Sequence, residues 1–176
     1  MSQFASIRHR LRQGVAALLT RNGSGAGSLA IELLMPGELA LFRRMSAHDQ
    51  AHSERVAGRL LAGGHGASDL IAAALLHDVA KAGTPQFPGR VRLADRVLLV
   101  LLGRFALGRL RWLASELDRP LGRSLYLAVH HARLGAELAH AAGSSERTCW
   151  LIAAHEASVP QDPDLQRLIA SDGAAT

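Results

Sequence analysis

The adjacent pair His77-Asp78, within Ala-Ala-Ala-Leu-Leu-His-Asp-Val-Ala-Lys, offers an imidazole nitrogen and a carboxylate oxygen from one point of the backbone. That mixed donor set suits borderline divalent metals. The pair closes an apolar helical run that starts near Asp69, so two strongly polar side chains enter what otherwise reads as core. Buried His and Asp need partners, and a metal ion is one of the few that satisfies both. Taken alone, a His-Asp pair is also compatible with an ordinary charged turn at a helix end. What surrounds it decides between the two readings.

His52 lies on the preceding helical run, in His-Ser-Glu-Arg-Val-Ala-Gly-Arg-Leu-Leu, and a late run over residues 165–172 ends in Asp172. This ordered set resembles the HD superfamily of metal-dependent phosphohydrolases: a first His, a His-Asp pair on the next helix, and a final Asp on a late helix. Residues 72–81 look like the family's Ala-Leu-Leu-His-Asp-hydrophobic-Gly-Lys core, with Ala80 where the family usually has Gly, a change a helix tolerates. The resemblance covers roughly residues 46–172. It implies an all-α fold, a compact HD-type helical bundle. It also implies that His52, His77, Asp78 and Asp172 bind one divalent ion, with room for a second. Two His with two carboxylates suit Mn, Fe, Co, Ni or Zn better than Mg.

The activity implied is hydrolysis of a phosphomonoester or phosphodiester, for instance on a nucleotide. The ion would acidify water and polarise the phosphoryl oxygen. Asp78 would accept a proton from the attacking water, and Lys81 and His131 would stabilise charge on the phosphate. Lys81 stands where the family motif has Lys, and it is the chain's one lysine against 19 Arg. His131 opens His-Ala-Arg-Leu-Gly, similar to a family His-Pro-Glu-x-Gly phrase; His155 precedes Glu156, similar to a His-His-Glu phrase. Ala132 and Arg133 depart from the first phrase, and a single His precedes Glu156 in the second. Both histidines are expected to line the substrate phosphate, mostly as active-site lining, or to complete a second metal site, with His130 pointing elsewhere; hydrogen-bonded histidines at helix ends are the plainer reading. A regulatory HD module that binds a nucleotide without turning it over is the alternative.

His48 and His52 form a pair at i, i+4, a workable zinc pair that also resembles His-Glu-x-x-His with Asp49 for Glu. One ligand and one solvent-facing His is the simpler reading. His9, His65 and His140 receive no functional assignment.

The chain that must position these groups has 176 residues, enough for one domain with a sizeable core. Hydrophobic residues make up 48% and aromatic ones 4%, and the excess of Ala and Leu favours packed helices. The single Cys149 excludes an internal disulfide and a Cys-based zinc site. The longest apolar run, residues 70–76, falls far short of the ~18–20 residues of a spanning helix, as does the run over 97–102. The expected location is cytoplasmic, at most peripheral to a membrane.

The net charge of +5 is unevenly placed. Residues 1–31 carry +4 and no acid, residues 90–123 carry +5, and the remainder, at −4, holds every candidate ligand. An acidic ligand-bearing part suits a cation, and basic outer segments suit phosphates or anionic surfaces; an Arg-rich codon bias would give the same imbalance. Arg92, Arg96, Arg104 and Arg111 form a stripe on an otherwise apolar stretch, which Gly103 and Gly108 should interrupt or bend. So wide an apolar arc must be buried, against the core, in a homodimer through residues 91–113, or on an anionic membrane surface. With the basic N-terminal helix, this stretch also admits a membrane-surface or scaffold protein. Aromatics are too few to argue for nucleic acid.

The expected elements are a basic helix over 2–20 and a Gly/Ser linker to residue 28, then an HD-type domain over 29–176. An organellar transit peptide has a similar acid-free composition, but a plain helix is favoured. In the domain, helices are expected from Pro36 to near Met45, from a Ser46 cap to Leu61, and from a Ser68 cap through the His-Asp pair to Gly83. Further helices fit 91–102, 105–117, 121–142, 145–157 and 163–172, with Ser145 and Asp162 as caps.

Overall fold

The computed structural model describes residues 28–91 and 93–175, all-α and without a strand among them. The basic helix over 2–20 and the linker up to residue 27 lie outside the described residues. The helices are α1 (Ser28–Leu33), α2 (Pro36–Phe42), α3 (Ala47–Ala62), α4 (Ser68–Leu76), a 3-10 helix (Val79–Ala82), α5 (Leu93–Phe105), α6 (Leu107–Ser115), α7 (Pro120–Ala141), α8 (Glu146–Ala154) and α9 (Pro163–Gly173).

Helix α7, 22 residues and so about 33 Å long, is the spine. It packs on α8, α6, α5 and the 3-10 helix, while α4 lies between α3 and α8 and α9 closes on α3. The main core joins Phe42 of α2, Val56 and Leu60 of α3, Ile71, Leu75 and Leu76 of α4, Leu151 and Ile152 of α8, and Leu168 of α9. A second cluster gathers Ala80, Val91, Leu127, Ala128 and Leu134 around the 3-10 helix, so the methyl at position 80 is part of the packing. A third joins Leu110, Ala114 and Leu125 with Leu98, Leu99 and Leu102.

Local chemistry sets the helix ends. Ser46 Oγ accepts from the Asp49 N–H and donates to the Asp49 carboxylate at 2.7 Å. Ser145 caps α8 by accepting from the Thr148 N–H, and Asp162 caps α9 by accepting from the Asp164 and Leu165 N–H groups. The helix beginning at Pro36 ends at Phe42, short of Met45.

Three expectations are corrected. Ala67, not Ser68, stands at the N-cap of α4, and no side chain caps it; the all-apolar helix is held by burial instead. That helix does not run on to Gly83. It stops at Leu76, His77 is its C-cap, and the chain tightens into the 3-10 helix, which ends where Gly83 takes φ +90°. Finally, the break in the basic stretch falls at Ala106, φ −151°, while Gly103 and Gly108 lie inside helices. One Gly costs only about 1 kcal/mol in a helix, less than the packing that carries α5 through Gly103. Helix α1 was not expected; its Leu29 and Ala30 are buried against α3 and α4, which supplies what a six-residue helix lacks in length.

Candidate metal centre

Five segments deliver side chains to one cleft. His52 comes from the middle of α3, where Val56 and Leu60 below it are buried and Arg59 at the edge of that face is exposed. His77 and Asp78 stand at the junction of α4 with the 3-10 helix, His131 in α7, His155 at the C-cap of α8, and Asp172 in the last turn of α9. All but Asp172 are buried.

The imidazoles are oriented by one repeated device. His77, His131 and His155 each donate from Nδ1 to the carbonyl three residues earlier, of Ala74, Ala128 and Ile152, at 3.0, 2.8 and 2.7 Å. A carbonyl oxygen only accepts, so the proton is on Nδ1 and the Nε2 lone pair of each ring faces the cleft. Metal-binding histidines are fixed in this way.

The inward atoms form two adjoining trios. In the first, His52 Nε2 lies 2.7 Å and His77 Nε2 3.5 Å from Asp172 Oδ1. In the second, Asp78 Oδ1 is 3.5 Å from His131 Nε2, which is 3.3 Å from His155 Nε2. Within each trio the candidate ligand atoms lie within 4.8 Å of one another, so each could hold a metal ion. The trios meet where His77 Nε2 comes within 3.6 Å of Asp78 Oδ1. Those same two atoms are buried and lack a hydrogen-bond partner. A buried nitrogen without a hydrogen bond, beside an ionised carboxylate, is what a divalent cation would satisfy.

The charges agree with that reading. Burial pushes the Asp78 carboxyl up, but His77, Lys81 and His131 outweigh it and hold the group well below the ordinary carboxylate range. For Asp172 burial acts the same way and is overcome by the His52 ring at 2.7 Å and the His77 ring at 3.5 Å, so this carboxyl too is held low. Burial alone would lower His77, yet Asp78 and Asp172 raise it. His131 goes the other way, pushed down to about 4 by burial and then by Lys81. His155 is lowered by burial and then by its neighbour His77. Two ionised carboxylates and two neutral imidazoles are thus ready as ligands at neutral pH.

The four residues expected as one ligand set all reach this cleft: His52, His77 and Asp172 fall together, and Asp78, 3.6 Å from His77 Nε2, lies also beside His131 and His155. His131 and His155 line the cleft and, with Asp78, could hold an ion. Lys81 does not reach out from the same α-helical face as the pair. Residues three apart eclipse in a 3-10 helix, and Lys81 Nζ pairs with Asp78 Oδ1 at 2.7 Å, off the line of a hydrogen bond. His48 is solvent-facing at the rim, 3.5 Å from its neighbour Asp49, and belongs to neither trio. His130 leans on the Tyr126 ring, 4.4 Å between centroids.

The cleft above the trios has a volume of about 570 Å³ and is lined also by Arg55 and Glu156. Sequence reasoning missed both as site residues. Arg55 follows His52 by three on the same helix, a spacing that could have flagged it; its guanidinium also donates to the Ala175 carbonyl at 3.3 Å. Glu156, raised by burial, approaches His131 Nε2 at 3.7 Å. Gly135 explains how α7 comes so close: a Cβ there would stand 3.3 Å from Ile152 Cγ2 and 3.5 Å from the His77 carbonyl. No family model, curated protein or solved structure matches the chain.

Proposed function

We propose that the chain is an HD-type, divalent-metal-dependent phosphohydrolase acting on a phosphomonoester or phosphodiester. The observation that carries this reading is the pair of abutting His/Asp trios in a cleft whose lining holds two cations, Arg55 and Lys81. The ordered set His52, His77-Asp78 and Asp172, similar to the HD motif, adds to it. His52, His77 and Asp172 would hold one ion, and Asp78, His131 and His155 a second; thiolate-free N/O sets of this kind suit Mn, Fe, Co, Ni or Zn. Bound there, such ions supply Lewis-acid polarisation of a phosphoryl oxygen and a more acidic water.

The chain's own residues do the rest. Arg55 and Lys81 draw an anionic ester to the cleft and hold its non-bridging oxygens, and their fixed charges favour the transition state as charge builds there. Asp78 accepts the proton of the attacking water. The Nδ1 bonds to Ala74, Ala128 and Ile152 keep the three rings from turning, so the donors need no reorganisation during the reaction.

The test is metal analysis of the purified protein, followed by turnover of aryl phosphomonoesters, phosphodiesters and nucleotides with each of these metals added. Metal-dependent turnover that disappears in His77→Ala and Asp78→Ala, with helicity retained, is expected. Full activity in both variants would remove the proposal. Nucleotide binding without turnover of any ester would identify a regulatory HD module instead.

A further inference from the structure

Helix α5 is apolar nearly all round, yet only one of its sides is covered. Leu98, Leu99 and Leu102 pack toward Leu110, Ala114 and Leu125. On the other side Val97, Val100, Leu101 and Phe105 recur at spacings of three and four and are 53, 68, 50 and 80% exposed. Leu107 and Trp112 of α6 extend this open surface. A helix with two apolar faces has the composition of one buried on both. Single exposed apolar side chains are ordinary, but six on one helix pair make a patch with a use.

Charge decides what covers it. Residues 90–123 hold eight Arg against Asp95, Glu116 and Asp118, and Arg109 and Arg111, just before Trp112 on α6, are exposed. A second copy docked on this face would set two such basic surfaces against each other. Residues 1–31, at +4 without an acid, are repelled for the same reason. A bilayer with anionic headgroups meets both demands: arginines pair with headgroups while the apolar row enters the acyl boundary. Trp is the aromatic favoured at headgroup depth. No helix among the described residues is long and apolar enough to cross a membrane, so the contact is one of lying on the surface.

We infer that the outer face of α5 and α6, built on Val97, Val100, Leu101, Phe105 and Trp112, docks on an anionic bilayer surface. The experiment is co-sedimentation of the full chain with vesicles of phosphatidylcholine alone or mixed with phosphatidylglycerol, at low and high salt. Binding to the mixed vesicles only, weakened by salt, is expected. Leu101→Ser with Phe105→Ser should lower the apparent affinity by about tenfold or more, since the apolar area that enters the lipid is lost. In a Trp150→Phe background, emission from Trp112 should shift to the blue with the mixed vesicles. Absence of binding to phosphatidylglycerol vesicles, or binding and emission untouched by the double substitution, would overturn the inference. So would a concentration-dependent dimer in analytical ultracentrifugation that the double substitution abolishes, because the occupant would then be a second copy.

Discussion

His131 and His155 point their Nε2 atoms at each other across 3.3 Å, while each commits its Nδ1 proton to a carbonyl of its own helix. Neither neutral ring can donate to the other, so two lone pairs face one another. Such a contact is repulsive unless a cation lies beside both. The third member, Asp78 Oδ1, supplies the negative charge that a cation there would need.

Ion counting tests this directly. Wild-type protein loaded with Mn, Co or Zn should hold one ion per trio, two in all. His131→Ala or His155→Ala should each lower the count to one and leave the His52–His77–Asp172 ion in place. Elemental analysis after gel filtration reads the ratio. An unchanged count in both variants would mean that these histidines only line the cleft.

Lys81 separates binding from turnover. Its ammonium cannot ligate a cation, and it stands 2.7 Å from Asp78 Oδ1. Lys81→Ala should therefore retain the ions yet slow ester hydrolysis by roughly a hundredfold, the scale of one lost electrostatic contact to a transition state. Loss of ions in this variant would give Lys81 a structural role in holding Asp78.

Two substitutions on α9 should part company. Leu168 is fully buried, and Leu168→Ala should cost about 2–5 kcal/mol in chemical denaturation. Asp172→Ala removes the partner of His52 and His77 but leaves Leu165 and Leu168 packed. It should weaken metal affinity sharply with little loss of fold. Hydrogen exchange over 163–173, with and without metal, shows whether α9 stays docked. Undiminished affinity in Asp172→Ala would remove this residue from the ligand set.

Chelator-treated protein should lose stability as pH falls from 6.5 towards 4, the ordinary and the shifted values for His131. Burial depresses both His131 and His155, so protons favour the unfolded chain; their contribution is complete above the ordinary value and lost on acidification. His77 is raised, so its contribution is already complete below its ordinary value of 6.5 and is constant through this window. Glu156, raised by burial, opposes the loss where it takes up its proton. His131→Gln should flatten the fall of Tm with pH. An unaltered slope would assign the loss to other groups.

How much of this was readable in the residues differs from place to place. The apolar periodicity around His52 and the caps at Ser46, Ser145 and Asp162 were legible because each is a local, helix-level signal. That His77 and Asp78 belong to different trios was not. It depends on the chain tightening after Leu76, which turns Asp78 toward α7 and α8, and no residue there announces a 3-10 turn. Nor could spacing show that three histidines share one orienting bond, since that requires each ring to fold back on its own helix. Arg55 was within reach, three residues beyond His52. The break falls at Ala106 rather than at the glycines, because a lone Gly costs a helix only about 1 kcal/mol and is a weak breaker.

The solitary lysine has a consequence for the chemist. In a chain with 19 Arg and no Lys but Lys81, every side-chain ε-amine is in the cleft. An acylating or reductively alkylating reagent thus has a single lysine target, and any such label reports on that one environment. Because Lys81 is paired with Asp78 and largely shielded, its rate of modification measures how firmly that pair is closed. Whatever competes for Asp78 will be visible as a faster reaction at one atom, without a substrate in hand.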